Sequence, residues 1–522
     1  MNVYEMIAFI AYFVLVIGVG IYFFFKSKGN AGEKDYFLGG RDMNGLVAAL
    51  SAGASDMSAW VLMGLPGAFY ATGLSNMWIS VGLFIGTACA WIFIAPRLRR
   101  FSIAYNDSIT IPQYLTNRFQ SDNKLLLIIC AVIFVVAYCI YAASSISACG
   151  TLFNTVMGID RNTAMIGAAV IIIVYTFLGG FNAVCWTDFF QGLLMLAALM
   201  IAPIIAVITM QGAGFIAPDV VIPDNYYNAL ISGSFDKNSV INIISGLAWG
   251  LGYMGMPHIL IRYISIKSEK EMKKSRIVGT CWTGIILVMA SVVGMVGLKY
   301  LGGGLTDNSQ VFIRLVRGVF PALVAGILLS AILAASMSTA DSQLLASSSA
   351  FSSDVYKPIF RKSASDKEML WAGRIVVIII SVVALAIAMN PDCEGIMALV
   401  SNAWGAFGSA FGPVIVLSLY WKRLNYNGAL ASIIVGFAVD MLWYKFLATP
   451  TGLYEIVPGF AAAFITAIVV SLLTKKPDDK VVEIFEKAKL LRSNLQCRVS
   501  YKAGIFWWRM SSSAHKIISK SK

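Results

Sequence analysis

The sequence predicts an all-α, polytopic membrane protein with about thirteen transmembrane helices, its N-terminus outside and its C-terminus in the cytoplasm. Three observations predict it. The chain is 58% hydrophobic and 13% charged with a mean hydropathy of +0.76, whereas soluble domains carry about 25% charged residues. Apolar runs long enough to cross a bilayer recur along its whole length. Between them, Lys and Arg concentrate in alternate connections, the signature of segments that face the cytoplasm.

Taken in order, the run 4–25 is long enough to span and is followed by no small-residue cleavage site, so it reads as an anchor and not as a leader. Lys26, Lys28, Lys34 and Arg41 fill the first connection. The second run, 44–71, carries a carboxylate and several helix-breaking residues, and the third is 76–96. Arg97, Arg99, Arg100 and Arg118 follow it. Runs at 125–156, 162–181 and 187–209 lead to an acidic sixth connection around Asp219, Asp224 and Asp236. The seventh run, 240–261, is glycine-rich. The connection to 277–301 holds Lys267, Lys270, Lys273, Lys274 and Arg276. The ninth run, 315–350, precedes Lys357, Arg361, Lys362 and Lys367. Runs 370–389 and 393–421 precede Lys422 and Arg423, then 427–447 and 455–474 lead into a basic tail from Lys475. An odd number of spans puts the termini on opposite sides, which agrees with the charge pattern. The net charge of +13 is therefore topological and excludes a nucleic-acid reading. The eight cysteines form no Cys-x-x-Cys pair and lie mostly inside apolar runs, as at Cys89, Cys130, Cys139 and Cys149, so they are expected to be small buried hydrophobes.

Asp56 is the most informative residue. A carboxylate deep in a span costs about 2.5–3.5 kcal/mol on insertion scales and calls for a cationic partner. Gly53, Gly64 and Pro66-Gly67 surround it, so the helix is expected to break there and free backbone carbonyls; carbonyls beside a carboxylate make a site for a small hard cation. Five spans later, Gly246, Gly250, Gly252, Gly255 and Pro257 interrupt the seventh run. Two interrupted spans an odd number apart point in opposite senses, which predicts an inverted repeat of spans 2–6 and 7–11 with its site at the breaks. The glycines at 250, 252 and 255 match a dinucleotide fingerprint by spacing, but no strand precedes them and no acidic residue follows at about 20 positions.

In the ninth span Ala335, Ser338 and Thr339 stand at i, i+3 and i+4, so a carbonyl and two hydroxyls share one helix face. With the carbonyls of Ala54 and Met57 they could surround a sodium ion; small hydroxyl residues also simply pack membrane helices, and the sequence leaves both open. Trp60, Tyr141, Trp249 and Tyr253 lie in spans near the breaks, where rings cover an apolar body and face an ammonium while a half-helix N-terminus takes a carboxylate. An interfacial aromatic belt is the alternative. His258 has no evident ligand partner and reads as a hydrogen-bonded helix residue.

The segment Ser51-Ala-Gly-Ala-Ser-Asp-Met-Ser-Ala-Trp-Val-Leu-Met-Gly-Leu-Pro-Gly67, Val184-Cys-Trp-Thr-Asp188 with Gln191, the run from Trp249 to Pro257 and the run from Ala325 to Ala335 resemble the solute:sodium symporter family. The resemblance extends from Asp35-Tyr-Phe-Leu-Gly-Gly40 to the last span. It implies a LeuT-like 5+5 inverted repeat with one extra span before the core and two after it. The chain then divides into an extra span and loop (1–43), a first repeat (44–209), an extracellular loop (210–239), a second repeat (240–421), two C-terminal spans (422–474) and a basic cytoplasmic tail (475–522). The resemblance implies sodium at Ala54, Met57, Ala335, Ser338 and Thr339, supported by Asp56, with Ser58 and Gly64 nearby. Tyr141, Trp249, Tyr253 and Pro257 would line a proline pocket beside Trp60. Arg41 would lie at the cytoplasmic mouth and Asp188 on the sodium exit path. Ala59 stands where proline carriers commonly have glycine, and Asp341 adds a further carboxylate.

The implied activity is import of L-proline coupled to Na⁺ entry across the bacterial cell membrane, without an enzymatic step. No cofactor other than Na⁺ as coupling ion, no nucleic acid and no obligate protein partner are expected. A symporter for another small amino or carboxylic acid is the alternative, and a membrane solute sensor a second one. The run Ile505-Phe-Trp-Trp508, among basic residues, is expected to rest on the cytoplasmic leaflet.

Overall fold

Two helix breaks, brought side by side, organise the molecule. The computed structural model describes residues 2–27, 33–121, 123–178, 180–212, 215–216 and 218–490, and the run 505–508 lies outside them. Among the described residues every regular element is a helix, apart from one isolated bridge between Met43 and Ile266. That bridge joins the start of the first broken span to the end of the second: Met43 N–H donates to Ser265 O (3.2 Å) and Lys267 N–H to Met43 O (3.0 Å).

Among the described residues, each expected apolar stretch is largely helical. Ten helices among the described residues are long and apolar enough to cross a membrane, and up to eleven when the bent pair Lys237–Met254 and Pro257–Ser265 counts as one span. Boundaries differ where capping chemistry intervenes. Gly180, in an extended conformation, starts the sixth apolar helix at Phe181, and Ser268 caps the eighth at Glu269 by accepting from Glu271 N–H (3.3 Å). The stretch 315–350 is divided, because Phe320 is extended before Pro321 and ends the helix Val311–Val319; the next runs Ala322–Ser349. The continuous apolar stretch Trp60–Ala104 is interrupted at Gly73, whose φ of +73° ends the helix Leu65–Thr72.

The bilayer is the solvent for the outside of this bundle. Val14, Leu15, Phe93, Val382 and Leu473 are exposed, as lipid-facing side chains must be when the surroundings are as apolar as they are. The interior is built from small residues. Helix Gly45–Asp56 is buried on nearly every position and packs against Phe181–Met210, Pro257–Ser265, Glu269–Leu301 and Ala322–Ser349. Helix Met77–Cys89 closes onto the second break through Gly82 and Gly86, which meet Gly246 and Gly250 backbone to backbone; a Cβ at any of these would overlap the opposing chain.

Candidate functional site

Helix Gly45–Asp56 starts under an Asn44 cap, whose side chain accepts from Leu46 N–H (2.8 Å). It stops at Met57, with φ −79° and ψ 71°, and the chain resumes as a π turn over Trp60–Gly64 before Leu65–Thr72. The last carbonyls of a stopped helix have no intrahelical donor. Ala54 O is met instead by Ser338 Oγ (2.8 Å) and Thr339 Oγ1 (3.5 Å) from the ninth apolar helix, and Ser338 Oγ also lies 3.2 Å from Ala335 O. Four oxygens named from the sequence therefore converge: the carbonyls of Ala54 and Ala335 and the two hydroxyls. Met57 is buried beside them, at the bend itself.

Two residues further on, the same turn faces aromatic rings. Asp56 O accepts from Tyr141 OH (3.3 Å) and from Trp60 Nε1 (3.3 Å). The Asp56 side chain, 2% exposed, accepts a short hydrogen bond from Tyr253 OH, and its Oδ1 accepts none. Its partner within the chain is thus a phenol, whereas the hydroxyl pair engages the backbone two residues back, at Ala54.

Tyr253 belongs to the second break. Helix Lys237–Ala248 passes into a 3-10 stretch, Trp249–Met254, and restarts at Pro257 with a 47° bend. Proline has no N–H to lose at the first helical position, and extended Met256 precedes it. Trp249 lies 6.0 Å from Trp60 between ring centroids and stacks on Tyr454 at 5.3 Å. Trp404 donates its indole N–H to Trp249 O (2.7 Å) and packs edge-on to Tyr253; only glycine at 252 leaves room for that indole. Pro257 opens the half-helix below these rings. Ser58 accepts weakly from Trp60 N–H (3.5 Å), and Gly64 faces Met397, about one turn after Trp60. His258 is fully buried with Nδ1 3.2 Å from Tyr138 OH, as a hydrogen-bonded helix residue.

Asp188 sits in a second polar cluster. Its Oδ2 accepts from Ser51 Oγ (2.7 Å), from Arg262 Nη2 (3.2 Å) and from Ser342 Oγ (3.5 Å). Arg262 also donates to Ser51 Oγ (3.2 Å), Ser342 Oγ (2.5 Å) and His258 O (2.9 Å), while only 1% exposed. Ser51 and Ser342 lie about one turn along their helices from Ala54 and Ser338, so this ion pair sits directly beside the hydroxyl pair, towards the chain end that carries Arg41. Sequence reasoning missed Arg262. An arginine in the apolar run Ile259 to Ile264 was the available signal, because a charge at that depth demands a partner.

Arg41 makes no hydrogen bond to either cluster, and meets the helix that carries Arg262 two residues further on, at Ile264. Its guanidinium pairs with Asp107 (2.8 Å) and donates to Ser102 Oγ (3.0 Å), Ser108 O (2.7 Å) and Ile264 O (2.9 Å), clamping three segments together. Burial lowers its pKa and Asp107 partly offsets that, leaving it at about 10, so it stays charged near neutrality. Asp341 is fully buried on the ninth apolar helix.

The sodium:solute symporter family matches residues 36–436. The high-affinity proline transporter PutP of Bacillus subtilis (strain 168) is 44% identical over 477 residues, 90% of this chain and 98% of that protein. A sodium/proline symporter of Staphylococcus aureus (strain USA300) is 42% identical over 486 residues, 91% of this chain and 93% of its own. In fold, the chain is similar to a Na⁺-coupled sialic acid symporter solved in a substrate-bound, outward-open state, with a TM-score of 0.73 at 21% identity over 91% of this chain and 99% of that one. On this match, which runs through both helix breaks and nine-tenths of its length, the chain belongs to the sodium:solute symporter family.

Proposed function

We propose that this chain imports L-proline together with Na⁺ by alternating access across the cell membrane. The observation that carries the reading is the shared turn Ala54–Asp56: its first carbonyl meets the hydroxyls of Ser338 and Thr339, and its last meets Tyr141 and Trp60. A sodium ion held by Ala54 O, Ala335 O and the two hydroxyls would order the turn that forms one wall of the aromatic pocket. Substrate and ion then favour each other by the same factor, since coupling between two sites is reciprocal. The names of relatives above 40% identity support proline and sodium as the pair carried.

The pocket's chemistry fits. Proline presents a compact apolar ring, a secondary ammonium and a carboxylate, with no polar side-chain group to satisfy. Trp60, Trp249, Tyr141 and Tyr253 supply apolar area and ring faces for the ammonium, and the half-helix starting at Pro257 offers N–H groups to a carboxylate. The driving force suffices: one Na⁺ moving down about 150 mV releases roughly 3.5 kcal/mol, and a tenfold gradient adds about 1.4 kcal/mol.

Purified protein in proteoliposomes should accumulate labelled proline only under an imposed inward Na⁺ gradient. Accumulation without Na⁺, or Na⁺-driven uptake of another solute that proline does not inhibit, would refute the assignment.

A further inference from the structure

Outside the two clusters described above, the last three apolar helices bury a pair of carboxylates. Asp440 is 0% exposed in helix Tyr426–Phe446, and Glu455, 4% exposed, caps helix Ile456–Leu473. Both close on Gly405: a Cβ there would stand 3.1 Å from Asp440 Oδ2, 3.3 Å from Asp440 Oδ1 and 3.3 Å from Glu455 Cγ. Asp440 Oδ2 accepts from Ser409 Oγ (2.7 Å), whereas Asp440 Oδ1 and Glu455 Oε1 accept no hydrogen bond. Helix Tyr426–Phe446 packs against Leu125–Met157, Ile396–Tyr420, Ala448–Thr451 and Ile456–Leu473, and none of these four carries a charged side chain. Their titratable groups are Cys130, Tyr138, Cys139, Tyr141, Cys149 and Tyr420. On its own helix are Tyr426, Tyr444 and Lys445, and Lys445 lies 5.4 Å from the Phe446 ring centre. Tyr444 OH binds a third carboxylate, Glu394, and Tyr454 adjoins Glu455.

We propose that Asp440 and Glu455 form a proton-binding site that braces the pocket wall. Two carboxylates closing on the same glycine in a low-dielectric interior cannot both stay ionised at low cost, and one proton shared by the pair removes that cost. A sodium ion would need several more oxygens, and the single hydroxyl here already donates to Asp440. The pair acts on the pocket through its chain neighbours. Tyr454, next to Glu455, stacks on Trp249 and donates to Ser401 O (2.7 Å). Trp404, next to Gly405, donates to Trp249 O (2.7 Å). When the proton leaves, repulsion drives Glu455, with Tyr454 beside it, away from Asp440 and Gly405, so Tyr454 shifts against Trp249 and the pocket loosens.

The test reads the proton directly and does not require proline to be the substrate. Infrared difference spectra of the purified full chain in lipid should show a buried carboxylic-acid C=O band that disappears as pH rises and is missing from the Asp440→Asn/Glu455→Gln double variant. Ser409→Ala, a smaller change, should shift that titration. The proposal also rests on the proline reading for a second readout: proline affinity at saturating Na⁺ should fall as pH rises in the native chain and become pH-independent in the double variant. The infrared result alone would sustain the proton site if proline fails to bind. A band that survives in the double variant with no shift in Ser409→Ala overturns it, as does a bound sodium that the double variant loses without any carboxylic-acid band.

Discussion

Replacing Ser338 with Ala removes one of four converging oxygens and leaves the packing around it nearly unchanged. Ser338 Oγ is fully buried, 2.8 Å from Ala54 O and 3.2 Å from Ala335 O, so it has no water to fall back on. An interaction of one oxygen with a charged group is worth about 1.5–3 kcal/mol. At 1.4 kcal/mol per decade, the Na⁺ concentration for half-maximal proline uptake should rise about 10- to 150-fold. A purely structural loss is smaller: Ala54 O keeps Thr339 Oγ1 at 3.5 Å, and the missing hydrogen bond costs about 1 kcal/mol of stability. Labelled-proline uptake in proteoliposomes across a Na⁺ titration measures the first quantity, and thermal unfolding without Na⁺ measures the second. Thr339→Ala and Thr339→Ser form the control pair, because the serine keeps the oxygen and loses only a methyl group. An unchanged Na⁺ dependence in a well-folded Ser338→Ala protein, or indistinguishable Thr339 variants, would show that these hydroxyls only pack helices.

Tyr253→Phe keeps the ring beside Trp404 but leaves the Asp56 side chain with no hydrogen bond. It should lower thermal stability by about 1–3 kcal/mol, and Na⁺ should restore part of that in unfolding scans. Trp249→Ala should weaken proline binding at saturating Na⁺ by about 1–3 kcal/mol in calorimetry, with little change in Na⁺ affinity measured without proline. Arg262→Gln strands Asp188 as an uncompensated buried charge, so a loss of about 3–5 kcal/mol in stability and poor membrane abundance are expected; the Arg262→Gln/Asp188→Asn pair should recover abundance. Asp56→Asn should raise the Na⁺ requirement for uptake far more than it lowers abundance, and an unaltered requirement would remove Asp56 from sodium binding.

Much of the candidate site was legible because a membrane interior makes polarity expensive. Asp56, Ser338 and Thr339 stand out in apolar runs, and the glycines and prolines around 53–67 and 246–257 mark where helices cannot continue. The same logic applied to Arg262, Asp440 and Glu455. The role of Arg262 was not legible, because its partners, Ser51, Asp188 and Ser342, come from three distant segments. Trp404 and Tyr454 gave no signal, since an aromatic residue in a span reads equally as lipid-facing, interfacial or buried.

The sequence by itself determined the class, the apolar helices and the two places where helices break, because these depend on local composition and on what a bilayer tolerates. Tertiary structure alone decided how each broken turn is used. Hydrogen-bond partners across hundreds of residues cannot be read from spacing: Ala54 O with Ser338, Asp56 with Tyr253, and Arg262 with Asp188 depend on which helix faces which. That choice follows from close approach between small residues such as Gly82, Gly86, Gly246 and Gly250, where backbone meets backbone and a single added methyl group would push helix Met77–Cys89 off the second break.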